Sequence, residues 1–342
     1  MAEEFMRAVD IRGGKGPASA LFINDKTPKP KPGPGQALVR VKAFGINRMD
    51  LNQREGTYPV PPQAPKTLGV EFSGTVAELG PRAADDGNHG LSVGDAVFGL
   101  VYGGAYAEYV VASVGMLLRK PDHLSFEEAA GVPETWITAT QALHFVGRFN
   151  GGESVLWHAG ASGVSIAGIQ LSRRAGASAV YATAGSAEKC AFVVDKLGAT
   201  AAVNYHDNGG DWSAEILRRT DSRGVDVVVD YIGADYLQRN LDVAARDGRI
   251  VCLGLLSGGK VRNLDMRPLL MKRLRVEGST LRSRDEAYQR RLRDKLEEYL
   301  PHFESGELKI FVDKVFPWEE VQKAHELMEK SSTMGKIICT ID

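Results

Sequence analysis

The first part of the chain alternates apolar and polar residues in short runs: residues 37–43 (ALVRVKA), 72–79 (FSGTVAEL), 93–100 (VGDAVFGL) and 105–112 (AYAEYVVA). Alternation with a period of two puts successive side chains on opposite faces of a strand, and the glycines and prolines between the runs supply turns. PKPKPGPG at residues 28–35 reads as a stiff connecting turn. The pattern predicts a compact β-barrel-like domain.

From about Gly131 the pattern changes to alternating strand and helix. Residues 154–159 (SVLWHA), 179–183 (AVYAT), 201–204 (AAVN), 225–231 (VDVVVDY), 249–254 (RIVCLG) and 275–280 (RVEGST) are apolar or β-branched strand candidates. Helical stretches at 164–175 and 186–197 fall between them, the second stopped by Gly198. About six parallel strands in two βαβαβ halves is the doubly wound α/β dinucleotide fold, the Rossmann domain. Beyond Thr280 the pattern predicts one long polar helix at 284–303, a strand near 309–315, a short helix at 318–330 and a last strand at 336–341. This tail is expected to return to the first domain, giving one domain from 1–130 with 282–342 and a second from 131–281. A chain of 342 residues exceeds what one core organises, which agrees with two domains.

Composition narrows the function. With 43% hydrophobic and 25% charged residues the chain is an ordinary globular protein, and a net charge of −1 gives no field to hold nucleic acid or an anionic membrane. The basic stretch at 271–295 is interleaved with acids and reads as a solvated helix face. Cys190, Cys252 and Cys339 are odd in number and far apart, so neither a disulfide framework nor a zinc knuckle is indicated and a reducing compartment fits. MAEEFMRAVD lacks the regions of a signal peptide and no apolar run reaches bilayer length, which makes the cytoplasm the default expectation.

The stretch HAGASGVSIAGIQL at 158–171 follows an apolar strand and opens an amphipathic helix, the setting a glycine-rich dinucleotide loop requires. Gly160 and Gly163 permit a tight turn and close approach to pyrophosphate, while the helix start offers free N–H groups. Ser165 stands at the third small position, where its hydroxymethyl group is expected to cost some helix–strand packing. An enzyme that takes NAD places an Asp or Glu at the end of the second strand for the ribose 2′-hydroxyl. This chain instead has Thr183-Ala184-Gly185-Ser186-Ala187-Glu188-Lys189, with a hydroxyl and a cation suited to a 2′-phosphate, so NADPH is favoured. Glu188 opposes that phosphate, and the case rests on Ser186 and Lys189 facing it. The plainer reading makes Ser186 an N-cap and Lys189 a solvated lysine. Tyr205 either closes over the nucleotide or is a half-buried tyrosine.

Residues 1–88 contain no Cys and no His, so the first domain cannot furnish the soft ligands of a zinc alcohol dehydrogenase.

Several motifs together carry a family likeness: AFGINRMDLNQREGTYPVPP from Ala43, LGVEFSGTVAELG from Leu68, VGDAVFGL from Val93, GGAYAEYVV from Gly103, HAGASGVS from His158 and GKII from Gly335. On these the chain resembles the medium-chain dehydrogenases/reductases, specifically the zinc-free, zeta-crystallin-like NADPH:quinone oxidoreductases, with a GroES-like catalytic domain beside the Rossmann domain. The resemblance implies that Asn47 replaces a metal-binding Cys, Met49 a hydroxyl relay and Val70 a ligand His, while Glu71 and Asp50 brace the site through hydrogen bonds to backbone groups. It further implies a cleft between the domains in which Asn47 and Tyr58 line the nicotinamide and the acceptor. Thr138 would touch the carboxamide. Ser162, Gly163, Val164, Gly254, Leu255, Leu256, Leu281 and Arg282 would contact the cofactor, mostly through backbone. A homodimer joined through sheet edge strands is implied as well.

Three functions are compatible with these residues. The first is hydride transfer from NADPH to an ortho- or para-quinone, with the Asn47 amide or the Tyr58 hydroxyl meeting the oxygen that gains charge and water giving the last proton. Taken singly, Asn47 reads as a turn residue and Tyr58 as a core aromatic; the motif context turns both toward the site. The second is reduction of an alkenal or enone double bond on the same fold. The third is a non-enzymatic NADPH-binding protein, where the near-zero net charge weighs against RNA as its partner.

Overall fold

The computed structural model describes residues 4–81 and 90–342. Residues 1–3, which begin the N-terminal stretch read above, and residues 82–89 lie outside the described residues. The chain divides into two compact units, one ending at Ile137 and taking in Arg282–Asp342, the other Thr138–Leu281.

The second unit is built on six strands, Ser154–Trp157, Ala179–Ala184, Ala201–Asn204, Val225–Asp230, Ala244–Cys252 and Arg275–Gly278. Every pairing is parallel, and the spatial order is third, second, first, fourth, fifth, sixth. That is the doubly wound order expected from the sequence, with its reversal between the first and fourth strands. Val225–Asp230 is buried at every position, as a central strand covered on both faces must be. Its core joins Leu156, Trp212, Val228 and Ile250, each full burial of such a side chain being worth about 1.5–3 kcal/mol. The fifth strand begins five residues before the apolar run, through ARDG, where Asp247 holds a φ of +64° and the pairing shifts register.

The first unit carries an antiparallel hairpin, Phe5–Ile11 with Leu21–Pro28, that the apolar pattern did not announce. Its main sheet centres on Gln36–Ile46, paired antiparallel along one edge with Glu71–Leu79 and along the other with Tyr109–Ser113 and then Lys336–Thr340. Phe44, Phe72, Tyr106 and Trp318 fill the core against it. The tail does return to this unit, since Lys336–Thr340 is a strand of its sheet. The single helix expected at 284–303 is instead two, Glu286–Glu297 and Leu300–Glu304. Pro301 is the reason: it has no N–H to continue the first helix, and its ring clashes with the carbonyl four residues back.

Candidate active site

In the second unit the first strand runs through His158 into a tight loop and the helix Gly163–Arg174. Ala159 holds a φ of +48° there, a conformation costly for a residue with a side chain and one that gathers at functional turns. Gly160 packs against Ala182 and Val193 with no room for a side chain. Ser162 caps the helix through Ser165 N–H, and Gly163 and Val164 form its first turn, whose N–H groups have no intrahelical partners. Ser165 does not loosen the packing as expected. It is fully buried and its hydroxyl donates to the His158 carbonyl at 2.7 Å, stitching helix to strand. The closest helix–strand approach comes three residues later, where a Cβ on Gly168 would overlap the Trp157 indole. His158 bonds Thr183 Oγ1 at 2.9 Å and Asn240 Oδ1 at 2.8 Å, and burial pushes its imidazole down to about 4, so it is neutral at pH 7.

At the end of the second strand Ser186 caps the helix Ala187–Asp195 by accepting Lys189 N–H at 3.1 Å, so the capping reading of Ser186 is realised while its own proton remains to be donated. Tyr205, half-buried, lays its hydroxyl on the Gly185 turn, where an added Cβ would come within 2.5 Å of it. Glu188 is exposed. Two buried hydroxyls of this unit, Thr138 Oγ1 and Ser279 Oγ, have no hydrogen-bond partner, which leaves donors waiting for a polar ligand. Gly254, Leu255 and Leu256 form the loop after the fifth strand, tied down by Leu256 N–H to the Tyr231 carbonyl at 3.0 Å. Leu281 is buried at the end of the unit. This set fits a dinucleotide: a loop with free N–H groups, small turns and unpaired buried hydroxyls.

In the first unit Asn47 ends strand Gln36–Ile46 and precedes helix Arg48–Arg54. Its Oδ1 accepts from Lys336 Nζ at 2.8 Å and its Nδ2 donates to Glu71 Oε1 at 2.8 Å. A cation on one side and a carboxylate on the other fix which end of the amide is oxygen. The Lys336 ammonium is saturated, its two other protons going to Glu71 Oε1 and the Ile46 carbonyl. Glu71 Oε2 accepts Glu134 N–H at 2.8 Å, and Asp50 Oδ2 accepts Asn47 N–H at 2.8 Å, so both acids brace backbone groups. Burial raises the Asp50 carboxyl to about 6, and burial followed by repulsion from Glu71 raises Glu134 to about 8. From Asp50 a buried chain continues through the Tyr106 hydroxyl and His325 to Arg54 at 3.2 Å per step, and Arg54 then meets Glu55 and Glu329. Tyr58 follows helix Arg48–Arg54, anchored by its N–H to Asn52, and Arg282 lies over its ring.

Lys336 and Glu134 were missed by sequence reasoning; the signal for Lys336 was present in the GK pair at 335–336, where the lysine looks like a strand-edge residue. Among the described residues no group of three or more His, Cys, Asp or Glu converges as a metal site.

Two families match the chain in turn: the alcohol dehydrogenase GroES-like domain over residues 33–122 and the zinc-binding dehydrogenase over residues 163–298. Over 322 residues the chain is 31% identical to quinone oxidoreductase-like protein 2 of Bos taurus, covering 94% of this chain and 89% of that protein. The chain belongs to the quinone oxidoreductase-like medium-chain dehydrogenase/reductase family. Solved structures of the same superfamily superpose along the whole chain. A protein named NAD-dependent alcohol dehydrogenase is 34% identical with a TM-score of 0.85, covering 98% of this chain and 100% of its own. A mycobacterial protein complexed with NADPH is 28% identical with a TM-score of 0.84 over the same shares. Membership makes Thr138–Leu281 the core of the NAD(P)-binding domain and places the first unit among the GroES-like domains of these oxidoreductases.

Proposed function

We propose that this family member passes hydride from NADPH to quinones and needs no metal to do so. The observation that carries the reading is the locked amide of Asn47. Where zinc relatives are expected to hold a thiolate, this chain holds a neutral donor whose oxygen is bonded to the Lys336 ammonium. A quinone asks little more of a protein than a flat slot and donors that stay neutral near pH 7. Asn47 keeps one Nδ2 proton uncommitted, and the Tyr58 phenol is held above its ordinary pKa, first by burial and then by Glu134, so it stays protonated. Both meet the oxygen that gains negative charge, and water supplies the final proton.

When bound, NADPH supplies the hydride. The loop residues Gly160, Ser162, Gly163 and Val164 would hold the pyrophosphate, the unpaired Thr138 hydroxyl the carboxamide, and backbone of Gly254, Leu255, Leu256, Leu281 and Arg282 the remainder. Since the two solved relatives differ in nicotinamide cofactor, the preference rests on the Gly185 turn, which joins Ser186, Lys189 and Tyr205 without a carboxylate at the strand end.

A homodimer through the sheet edge also belongs to this reading. Strand Arg275–Gly278 is a sheet edge exposed at every position, and Val276, 44% exposed, with Leu270 and Met271 of helix Arg267–Met271 at 76% and 70%, gives the apolar surface that a second copy would cover.

Initial rates with a polycyclic ortho-quinone and a long-chain alkenal, each with NADPH and with NADH, test the proposal. Quinone turnover that prefers NADPH is expected. Faster reduction of the alkenal overturns the acceptor, equal use of NADH overturns the cofactor, and a transition metal at stoichiometric occupancy overturns the metal-free site.

A further inference from the structure

We propose that Arg282 is a positioning residue for Tyr58, holding the phenol ring in place and lending its charge to the hydroxyl at the moment the acceptor oxygen turns negative. The inference rests on the reading of Tyr58 as the donor to the acceptor, and it assigns to Arg282 a side-chain role separate from any backbone contact with cofactor.

Arg282 is the first residue of the chain as it re-enters the first unit, and only 3% of its surface is exposed. Its guanidinium joins three segments. Nε donates to the Tyr102 carbonyl at 2.7 Å, Nη1 donates to Gln53 Oε1 at 2.7 Å, and the central carbon lies 5.4 Å from the Tyr58 ring centroid. Gln53 is on helix Arg48–Arg54, Tyr58 on the turn that follows it, and Tyr102 on the loop before Gly103. Gly103 keeps the space open, since a Cβ there would come 3.3 Å from Nη2. The guanidinium lies over the half-buried Tyr58 ring, whose backbone N–H is bonded to the Asn52 carbonyl at 3.2 Å.

The chemistry of the arrangement is unusual for a structural staple. A buried arginine normally sits against a carboxylate, because desolvating the charge is costly. Arg282 forms no salt bridge among the described residues; its two bonded partners are a carbonyl and an amide oxygen, and Nη2 is buried with no hydrogen bond of good geometry. No carboxylate is bonded to the guanidinium, which lies against the Tyr58 ring and acts on Asp50 and Glu134 only through space. Burial, Glu134 and Asp50 push the pKa of the Tyr58 hydroxyl up and keep it protonated, while Arg282 pulls the other way. A cation at this place strengthens the phenol as a hydrogen-bond donor without deprotonating it, which is what a carbonyl gaining electrons requires.

A double-mutant cycle separates this from a purely structural link. Wild type, Arg282→Met, Tyr58→Phe and the double variant are compared for NADPH-dependent quinone reduction, alongside thermal unfolding and NADPH binding by fluorescence. Arg282→Met is expected to lower kcat by roughly tenfold with KM and NADPH affinity little changed, and to cause no further loss in the Tyr58→Phe background. Arg282→Lys, which keeps the charge, is expected to recover part of the rate. Equal losses from Arg282→Met with and without Tyr58, or a loss confined to NADPH affinity, overturn the proposal. Should Arg282→Met fail to fold, the loss in Arg282→Lys must likewise vanish in the Tyr58→Phe background. If wild type reduces an alkenal and leaves quinones untouched, the acceptor assigned above falls, and the same cycle run with the alkenal still decides the role of Arg282.

Discussion

The Lys336 ammonium donates to the Asn47 side-chain oxygen at 2.8 Å, and this bond decides which end of the amide is offered to the site. With the oxygen engaged, Asn47 can present only N–H, a donor suited to a carbonyl that gains charge. Replacing Lys336 by Met removes that control and strands Glu71, fully buried, without its cation. Breaking a buried pair from one side costs about 3–5 kcal/mol. Lys336→Met should therefore lower the urea midpoint by that equivalent and reduce quinone kcat, whereas a double Lys336→Met, Glu71→Gln variant should regain much of the stability and little of the rate. A single variant of wild-type stability would contradict the burial of this pair.

Stability should depend on pH through Glu134. Its folded carboxyl is raised to about 8, by burial first and by Glu71 second, whereas an unfolded glutamate ionises near about 4.3. Between those values the unfolded chain has released a proton that the folded chain still holds, so stability falls as pH rises through the window and levels off above it. Asp50 and Asp230, both raised to about 6 by burial, add to the lower part of the slope in the same direction. Glu134→Gln should flatten the segment between pH 6 and 8 in urea midpoints measured from pH 5 to 9. An unchanged slope in that variant would show that another group is responsible.

Cofactor choice should follow the Gly185 turn. Ser186→Asp puts a carboxylate where a 2′-phosphate is proposed and one that can serve a ribose hydroxyl instead. The ratio of kcat/KM for NADPH over NADH should drop by more than about tenfold. Gly185→Val, whose side chain would strike the Tyr205 hydroxyl, should weaken binding of both nucleotides. A cofactor ratio unmoved by Ser186→Asp would remove Ser186 from the site.

Association should fail when the exposed sheet edge is charged. Val276→Arg combined with Leu270→Glu places charges where apolar surface is now open, and light scattering coupled to gel filtration should then report half the mass found for wild type. A wild type already at monomer mass would dispose of the dimer.

The sequence made the second unit legible almost strand by strand, because its parallel strands are contiguous apolar runs and its helices fill the gaps between them. Strand limits moved where backbone geometry overrode hydrophobicity, as at Asp247, and the tail helix was read too long because its polar pattern runs straight across Pro301. The hairpin of Phe5–Ile11 with Leu21–Pro28 escaped notice since its burial is one-sided and ragged. Asn47 and the loop from Gly160 are candidates by motif position, which is visible in the chain alone. The GK pair marks Lys336 without revealing its partners, and Glu134 and the Arg282 side chain carry no local mark, because their contacts lie far away in sequence: 265 residues separate Lys336 from Glu71 and 229 separate Arg282 from Gln53.

The bond between Lys336 and the Ile46 carbonyl spans 290 residues. A nascent chain leaving the ribosome would hold the N-terminal strands long before the strand that completes them exists, while the six sheet strands of Thr138–Leu281 pair with one another. Contacts of such long range close slowly. The nucleotide-binding half can therefore mature first although it is translated second, and the earlier half spends synthesis with an open sheet edge, the interval in which a chaperone would matter most for this chain.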